Sequence, residues 1–311
     1  MSENKIATRA SYGKALLELG QEHQDVFVLD ADLANATKTE LFRDAFPDRH
    51  IECGVAECNM IDVAAGLSTM GIVPFASTFA MFAAGRAYEM IRNTIGYPHL
   101  NVKIGATHGG ISVGEDGASH QCCEDFALMR SIPGMSVLCP SDDIEARQIV
   151  KWAYEYEGPV YMRFSRAASP VFHNKDYVFN YGKAERLQEG NDVCIIATGI
   201  MVPEAIEAGR LLAIDHIRAR VLNMPTIKPI DEEAVISAAK ECRFIVTVEE
   251  HTVIGGLGEA VCSVVCEKHP TKVFRMGIQD VFGHSGSASV LLDEYGLTAR
   301  HIVATVMKGF E

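Results

Sequence analysis

Positive charge is scarce in this chain. Its 311 residues hold 28 Lys and Arg against 41 Asp and Glu, a net charge of −13. That balance excludes nucleic acid and an anionic membrane as main partners. A phosphorylated ligand would have to be met by a local basic cluster. Metal-site spacing of cysteines is also missing: the nine are scattered, and Cys122 and Cys123 are neighbours. This pattern suits reduced thiols and not a disulfide framework. The first residues lack a basic-then-apolar leader, and a cytoplasmic protein is expected. There is no low-complexity segment and no short-period repeat. One run, Val63 to Gly85, carries no charge and is long enough to span a bilayer. Pro74 interrupts it, and Gly66, Ser68, Thr69, Gly71, Ser77 and Thr78 are spread through it. It reads as a buried helix, a short strand and the start of another helix, so no membrane partner is expected.

What is present is enough apolar residue, 48%, for more than one core. The length predicts two domains. In the first half, helices are expected over Ala7–Gly20, Thr37–Ala45, Met81–Ile95 and Glu124–Arg130. Another is expected to open at Ser141, with Asp142 and Asp143 in its first turn. Short strands are expected at Val26–Leu29, Val73–Ala76, Val102–Ala106, Ser136–Leu138 and Val160–Phe164. The second half repeats the alternation. Strands are expected at Val193–Ala197, Ala219–Leu222, Phe244–Val248 and Val273–Met276. Helices fall between them and after Leu291. The fold class is α/β, with two doubly wound domains: 1–175, a linker at 176–190 within a polar stretch, and a smaller domain at 191–311. Parallel sheets of this kind bind ligands beyond the carboxyl ends of their strands. The residues there are 30–38, 77–82, 107–120 and 165–166.

Glu57 stands out, in Gly54-Val55-Ala56-Glu57-Cys58-Asn59-Met60. Met60, Ile61, Val63, Ala64, Leu67 and Met70 follow at helical spacing, which places Glu57 where a loop feeds a buried helix. Two readings stand. It caps that helix, or it is a desolvated acid with a raised pKa, poised to share a proton with a ring nitrogen.

The segment Thr107 to Gln121 carries four glycines, His108, His120, Glu115 and Asp116. Glycines let backbone approach a ligand, and histidines move protons near neutral pH. The alternative is a solvated surface loop. The spacing of His108 and His120 matches no common metal set, and no metal ligand is expected. Phe79 and Phe82, three apart at an expected helix start, can face one way, as core or as a ring-binding wall. Arg9 and Arg166 are either anion clamps or surface charges. Gly255-Gly256-Leu257-Gly258 before a helix reads as a turn, with weak support for anion binding. Asp32 reads as a cap for the helix from Thr37.

On these residues the chain resembles the C-terminal half of transketolase, over nearly its whole length. The resemblance implies a pyrimidine-binding domain followed by the family's C-terminal domain. Glu57 matches the glutamate that activates thiamine diphosphate. Phe79 and Phe82 match the aromatics that enclose its aminopyrimidine, and Asp32 matches an acid near the cofactor. His108, Asp116 and His120 match the loop that handles sugar hydroxyls and phosphate. Arg166, in the Ser165-Arg166 pair, and Arg9, in Ile-Ala-Thr-Arg, match phosphate arginines. Two positions depart from the family. Ala36 stands where a phosphate-contacting serine is common, and Gly85 stands where some members have an aromatic.

The family's Gly-Asp-Gly motif for Mg²⁺ and diphosphate does not occur here. The resemblance therefore implies a split transketolase. Such a subunit would move two-carbon ketol units between sugar phosphates, with thiamine diphosphate shared with a separate N-terminal subunit expected to hold the Mg²⁺. Two copies of each are expected in a heterotetramer. Glu57, His108 and His120 are the implied catalytic residues. Asp32, Glu57, Phe79 and Phe82 are the implied cofactor residues. Arg9, His108, Asp116, His120 and Arg166 are the implied substrate residues. A deoxyxylulose phosphate synthase, a 2-oxoacid dehydrogenase β subunit and a non-catalytic binding partner are the alternatives. Glu115 in Gly-Glu-Asp-Gly disfavours the first, the histidine pair the second, and Glu57 the third.

Overall fold

The computed structural model describes residues 4–311. Its strands are β1 (Lys5–Ala7), β2 (Val26–Asp30), β3 (His50–Glu52), β4 (Val73–Phe79), β5 (Lys103–Thr107), β6 (Ser136–Leu138) and β7 (Val160–Phe164). They continue with β8 (Ala168–Pro170), β9 (Glu185–Gln188), β10 (Val193–Ala197), β11 (Ala219–Asn223), β12 (Thr226–Lys228), β13 (Ile245–Thr252) and β14 (Val273–Ile278). A seven-stranded sheet has the order β12-β6-β7-β5-β4-β2-β3, and all its pairs are parallel except β12–β6. A five-stranded sheet has the order β14-β13-β10-β11-β9, parallel except for β9.

The central strands β4, β5 and β7 are buried along their whole length, covered on both faces, which is why they read as largely apolar runs. Along β2, Val26 and Val28 enter one core with Tyr12, Leu16 and Ile149, while Leu29 enters the opposite one with Met60, Ile61 and Phe126. The two-residue period of a strand sends neighbours to opposite faces. Met60 and Ile61, fully buried on the Glu57–Ser68 helix, each contribute about 1.5–3 kcal/mol by leaving water. The smaller sheet is built likewise, with Ile195 and Ile196 in separate cores. Among the described residues no helix is long and apolar enough to cross a membrane.

Several expectations are corrected. The stretch 176–190 is not all linker: its end forms β9, the antiparallel edge strand on β11. The part before it is packed, with Phe179 edge-on to Trp152 and the Tyr177 hydroxyl donating to Glu145 at 2.7 Å. His173 meets Asp142 through Nδ1 (2.9 Å) and Glu185 through Nε2 (2.7 Å). Burial works against the charge of His173, yet those two carboxylates raise its pKa to about 10. β12, from the second half, crosses over to edge the first sheet. Asp142 is itself the N-cap of the Asp143–Glu155 helix and accepts from the Glu145 amide, whereas Ser141 bonds the Glu145 carboxylate. The Met81–Ile95 helix is broken by π turns at Phe82–Arg86 and Ile91–Gly96.

Candidate active site

Because β2, β4, β5 and β7 are parallel, the segments after their last residues gather at one edge of the sheet. Glu57 arrives at that region as the first residue of its helix. It does not cap: Ala56 is the N-cap and makes no side-chain cap hydrogen bond. Its carboxylate is 1% exposed and accepts from Arg86 Nη1 at 2.7 Å. The desolvated acid thus has a cationic partner. The π turn explains how. The Ala87 amide bonds the Phe82 carbonyl at 3.1 Å, five residues back, and Arg86 lies over the Phe82 ring at 4.7 Å. Such turns often mark functional sites.

Phe79 ends β4 and is not on a helix, because the strand runs three residues further than expected. Its ring stacks on Phe82 at 5.7 Å and on His108 at 3.9 Å. His120 meets both phenyl rings edge-on, at 6.2 and 5.4 Å. His108 is buried and holds φ at +58°, a costly conformation for a non-glycine residue. Its Nε2 lies 3.3 Å from Arg9 Nη1, a group that only donates, so Nε2 accepts. The ring proton therefore sits on Nδ1 and points to Thr107 Oγ1 at 2.8 Å. Burial, then Arg9, Arg166 and His120, push the His108 pKa down to about 3. It is a neutral imidazole across the physiological range.

Arg9 and Arg166 are brought together by their neighbours. Thr8 Oγ1 bonds Ser165 Oγ (3.1 Å) and accepts from its amide (2.8 Å). Arg9 also donates to the Ala36 carbonyl at 2.8 Å, and burial and Arg166 lower its pKa. Arg166 donates to the Val113 carbonyl (2.6 Å) and to Glu115 Oε2 (2.5 Å). Asp116 is exposed beside Glu115 on the same loop.

Asp32 stands apart. It is exposed at φ +60°, caps no helix, and its amide donates to Glu52 at 2.8 Å. The buried acid of this segment is Asp30. It accepts from the Leu33 amide and the Thr37 and Thr39 hydroxyls, and burial raises its pKa to about 6. Asp30 shapes the loop that carries Asp32 and Ala36. The glycine-rich turn at Gly255–Gly258 has its helix N-terminus filled by the Glu249 carboxylate, which accepts from the Leu257 and Gly258 amides at 2.6 and 2.8 Å.

The structure thus joins Glu57, Phe79, Phe82, His108, His120 and Arg9 in one chain of contacts, adds Arg166 through Ser165, and leaves Asp32 and Asp116 at the rim. A cleft of about 730 Å³ opens beside Phe82 and Arg86, walled also by Ser119, Leu128, Ile254 and Phe282. Sequence reasoning missed Arg86, and the signal available was its place four residues after Phe82. It also missed Glu250, which gave no local signal. Among the described residues, Glu145, His173 and Glu185 form a group compact enough for a metal ion. That group lies at the packed linker, and both imidazole nitrogens there already face carboxylates.

The site thus combines, in a two-domain α/β chain, a buried glutamate, a stacked aromatic pair and two neighbouring arginines. The comparisons name the family. Residues 4–171 match the family model for the transketolase pyrimidine-binding domain, and residues 182–302 match that for the transketolase C-terminal domain. A protein of Methanocaldococcus jannaschii named as a transketolase C-terminal section is 50% identical, over 96% of this chain and 95% of that one. A 6-deoxy-6-sulfo-D-fructose transketolase subunit of Clostridium sp. is 42% identical, over 95% of this chain and 92% of that one. A solved structure described as a split-gene transketolase, inactive β4 tetramer, superposes with a TM-score of 0.91 at 53% identity, covering 97% of this chain and 98% of that one. The chain belongs to the transketolase family.

Proposed function

We propose that the chain is the C-terminal subunit of a split transketolase that moves two-carbon ketol units from a ketose phosphate to an aldose phosphate. The observation that carries this is Arg86. One guanidinium touches both the Glu57 carboxylate and the Phe82 ring, which links the buried acid to the aromatic pair. The donor set fits the aminopyrimidine end of thiamine diphosphate: a buried carboxylate beside flat apolar rings. When bound, that cofactor supplies the electron sink for carbon–carbon cleavage.

The chain's own residues do the rest. Glu57 holds a proton at the ring nitrogen N1′. Phe79 and Phe82 exclude water from the ring faces. Arg9 and Arg166 bind the substrate phosphate, and Arg166 leaves Glu115 to do so. His108 offers hydrogen bonds as a neutral imidazole, while His120 and Asp116 orient hydroxyls. Asp32 serves the cofactor from the rim. A separate N-terminal subunit holds the diphosphate and Mg²⁺, in an assembly with two copies of each chain, in the cytoplasm. The Clostridium relative is named for a sulfonated sugar, so the sugar pair of this chain is read only as far as phosphorylated ketose and aldose.

The test is Glu57→Gln in enzyme reconstituted with the N-terminal subunit. Turnover should fall to near zero while the circular dichroism spectrum is unchanged. Near-normal turnover would remove Glu57 from the chemistry and this reading with it.

A further inference from the structure

The loop that carries His108, Asp116 and His120 belongs to the first domain, yet its shape is set by the second. Glu250 lies on β13 and is 5% exposed. Its carboxylate accepts from the amide of Ser112, at the centre of the loop's Ile111–Val113 turn. At Gly110 the backbone takes φ +84°, and a Cβ there would overlap the Glu250 carboxyl group. The backbone carbonyl of Glu250 accepts from Arg163 of β7 at 2.9 Å, and that guanidinium also donates to the Cys122 carbonyl (3.0 Å) at the loop's far end. Asp125 faces Arg163 at 3.3 Å. A second fastening comes from Gln121, whose amide nitrogen donates to the Ile111 and Gly114 carbonyls and across to His284 at 2.9 Å.

The turn fixed by Glu250 is also the turn that holds Arg166. The carbonyl of Val113, one residue after Ser112, accepts from Arg166 at 2.6 Å. Glu250 is therefore linked to the phosphate-type arm by one turn of backbone.

We propose that Glu250 is a positioning residue: through the Ser112 amide, the C-terminal domain moulds the loop that places His108 and Arg166. It touches neither substrate nor cofactor. This gives the C-terminal domain a part in substrate binding through backbone geometry, beyond the Ile254 and Phe282 side chains it contributes to the cleft beside Phe82. The catalytic half of the inference rests on the transketolase reading, and the structural half stands without it.

The experiment has two arms. In the isolated chain, hydrogen exchange is followed for peptides covering 108–121 and for β4 and β5. In Glu250→Ala the loop peptides should exchange about tenfold faster, the factor expected from losing one buried hydrogen bond to a charged group, with β4 and β5 unchanged. Glu250→Gln keeps an acceptor of the same shape and should restore most of the protection. No change in the loop, or an equal rise in loop and core, overturns the proposal. In the reconstituted enzyme, Glu250→Ala should raise KM for the phosphorylated sugar about tenfold while cofactor affinity holds. A fall in kcat alone would also overturn it. Absence of turnover in every variant, wild type included, would sink the transketolase reading and leave the exchange result to decide the role of Glu250.

Discussion

At the scale of single residues, two charges are already paired before any ligand arrives. Arg166 is bound to Glu115, an exposed acid, so the pair costs little to break: exposed ion pairs contribute about 0–1 kcal/mol. A phosphate dianion can displace the carboxylate. Arg166→Ala should weaken phosphorylated substrates far more than their unphosphorylated analogues, by about 1.5–3 kcal/mol for one lost charged hydrogen-bonding partner. Equal losses on the two substrate types, measured as kcat/KM, would show that Arg166 is no phosphate clamp. His108 makes a pH prediction. Its folded pKa is about 3, below the unfolded value of 6.5. Below 6.5 the unfolded chain binds the proton that the folded chain refuses, so stability falls with acidification from pH 6.5 down toward 3. The slope from this group is about 1 kcal/mol per pH unit. In His108→Gln the decline in melting temperature between pH 6.5 and 4 should be shallower. An unchanged slope would mean that His108 titrates normally.

At the scale of elements, what was legible followed from periodicity. The central strands of both sheets read as apolar runs because both their faces are buried, and the helix after Glu57 showed its stripe. Elements set by tertiary contact did not show. β9 and β12 are short edge strands whose pairing depends on β11 and β6, distant in sequence. The π turn at Phe82–Arg86 shifts a hydrogen bond by one residue, which propensity cannot register. Ser141 and Asp142 are both good caps, and only the Glu145 amide shows which is used. In the site, the residue types at strand ends pointed to Glu57, Phe79, Phe82 and the histidine loop. Their partners were hidden, because Arg86 and Glu250 lie 29 and 138 residues from the groups they hold. Asp32 reads in the sequence as a cap and, by resemblance, as the acid near the cofactor, whereas burial and three hydrogen bonds make Asp30 the acid that organises this loop.

At the scale of the whole molecule, the proposed function turns on an uneven provision for the two ends of the cofactor. This chain offers an apolar ring pocket with one buried carboxylate, and its sequence has no Gly-Asp-Gly for Mg²⁺ and diphosphate. The diphosphate carries the cofactor's negative charge, and Mg²⁺ would be its main counter-charge. Ring burial against Phe79 and Phe82 alone must also offset the freedom lost on binding, which a single apolar wall does not do tightly. The cleft beside Phe82 and Arg86 is open and walled by Phe282, 87% exposed, and Ile254, 52% exposed. Apolar side chains so placed are suited to being covered by another chain. The isolated chain, given thiamine diphosphate and Mg²⁺, should therefore show no two-carbon transfer from a ketose to an aldose phosphate, and calorimetry should find weak cofactor binding. Addition of the N-terminal subunit should restore both together, with one cofactor per pair of chains. Robust turnover or tight cofactor binding by the chain alone would show that its site is complete and that the split-enzyme reading is wrong.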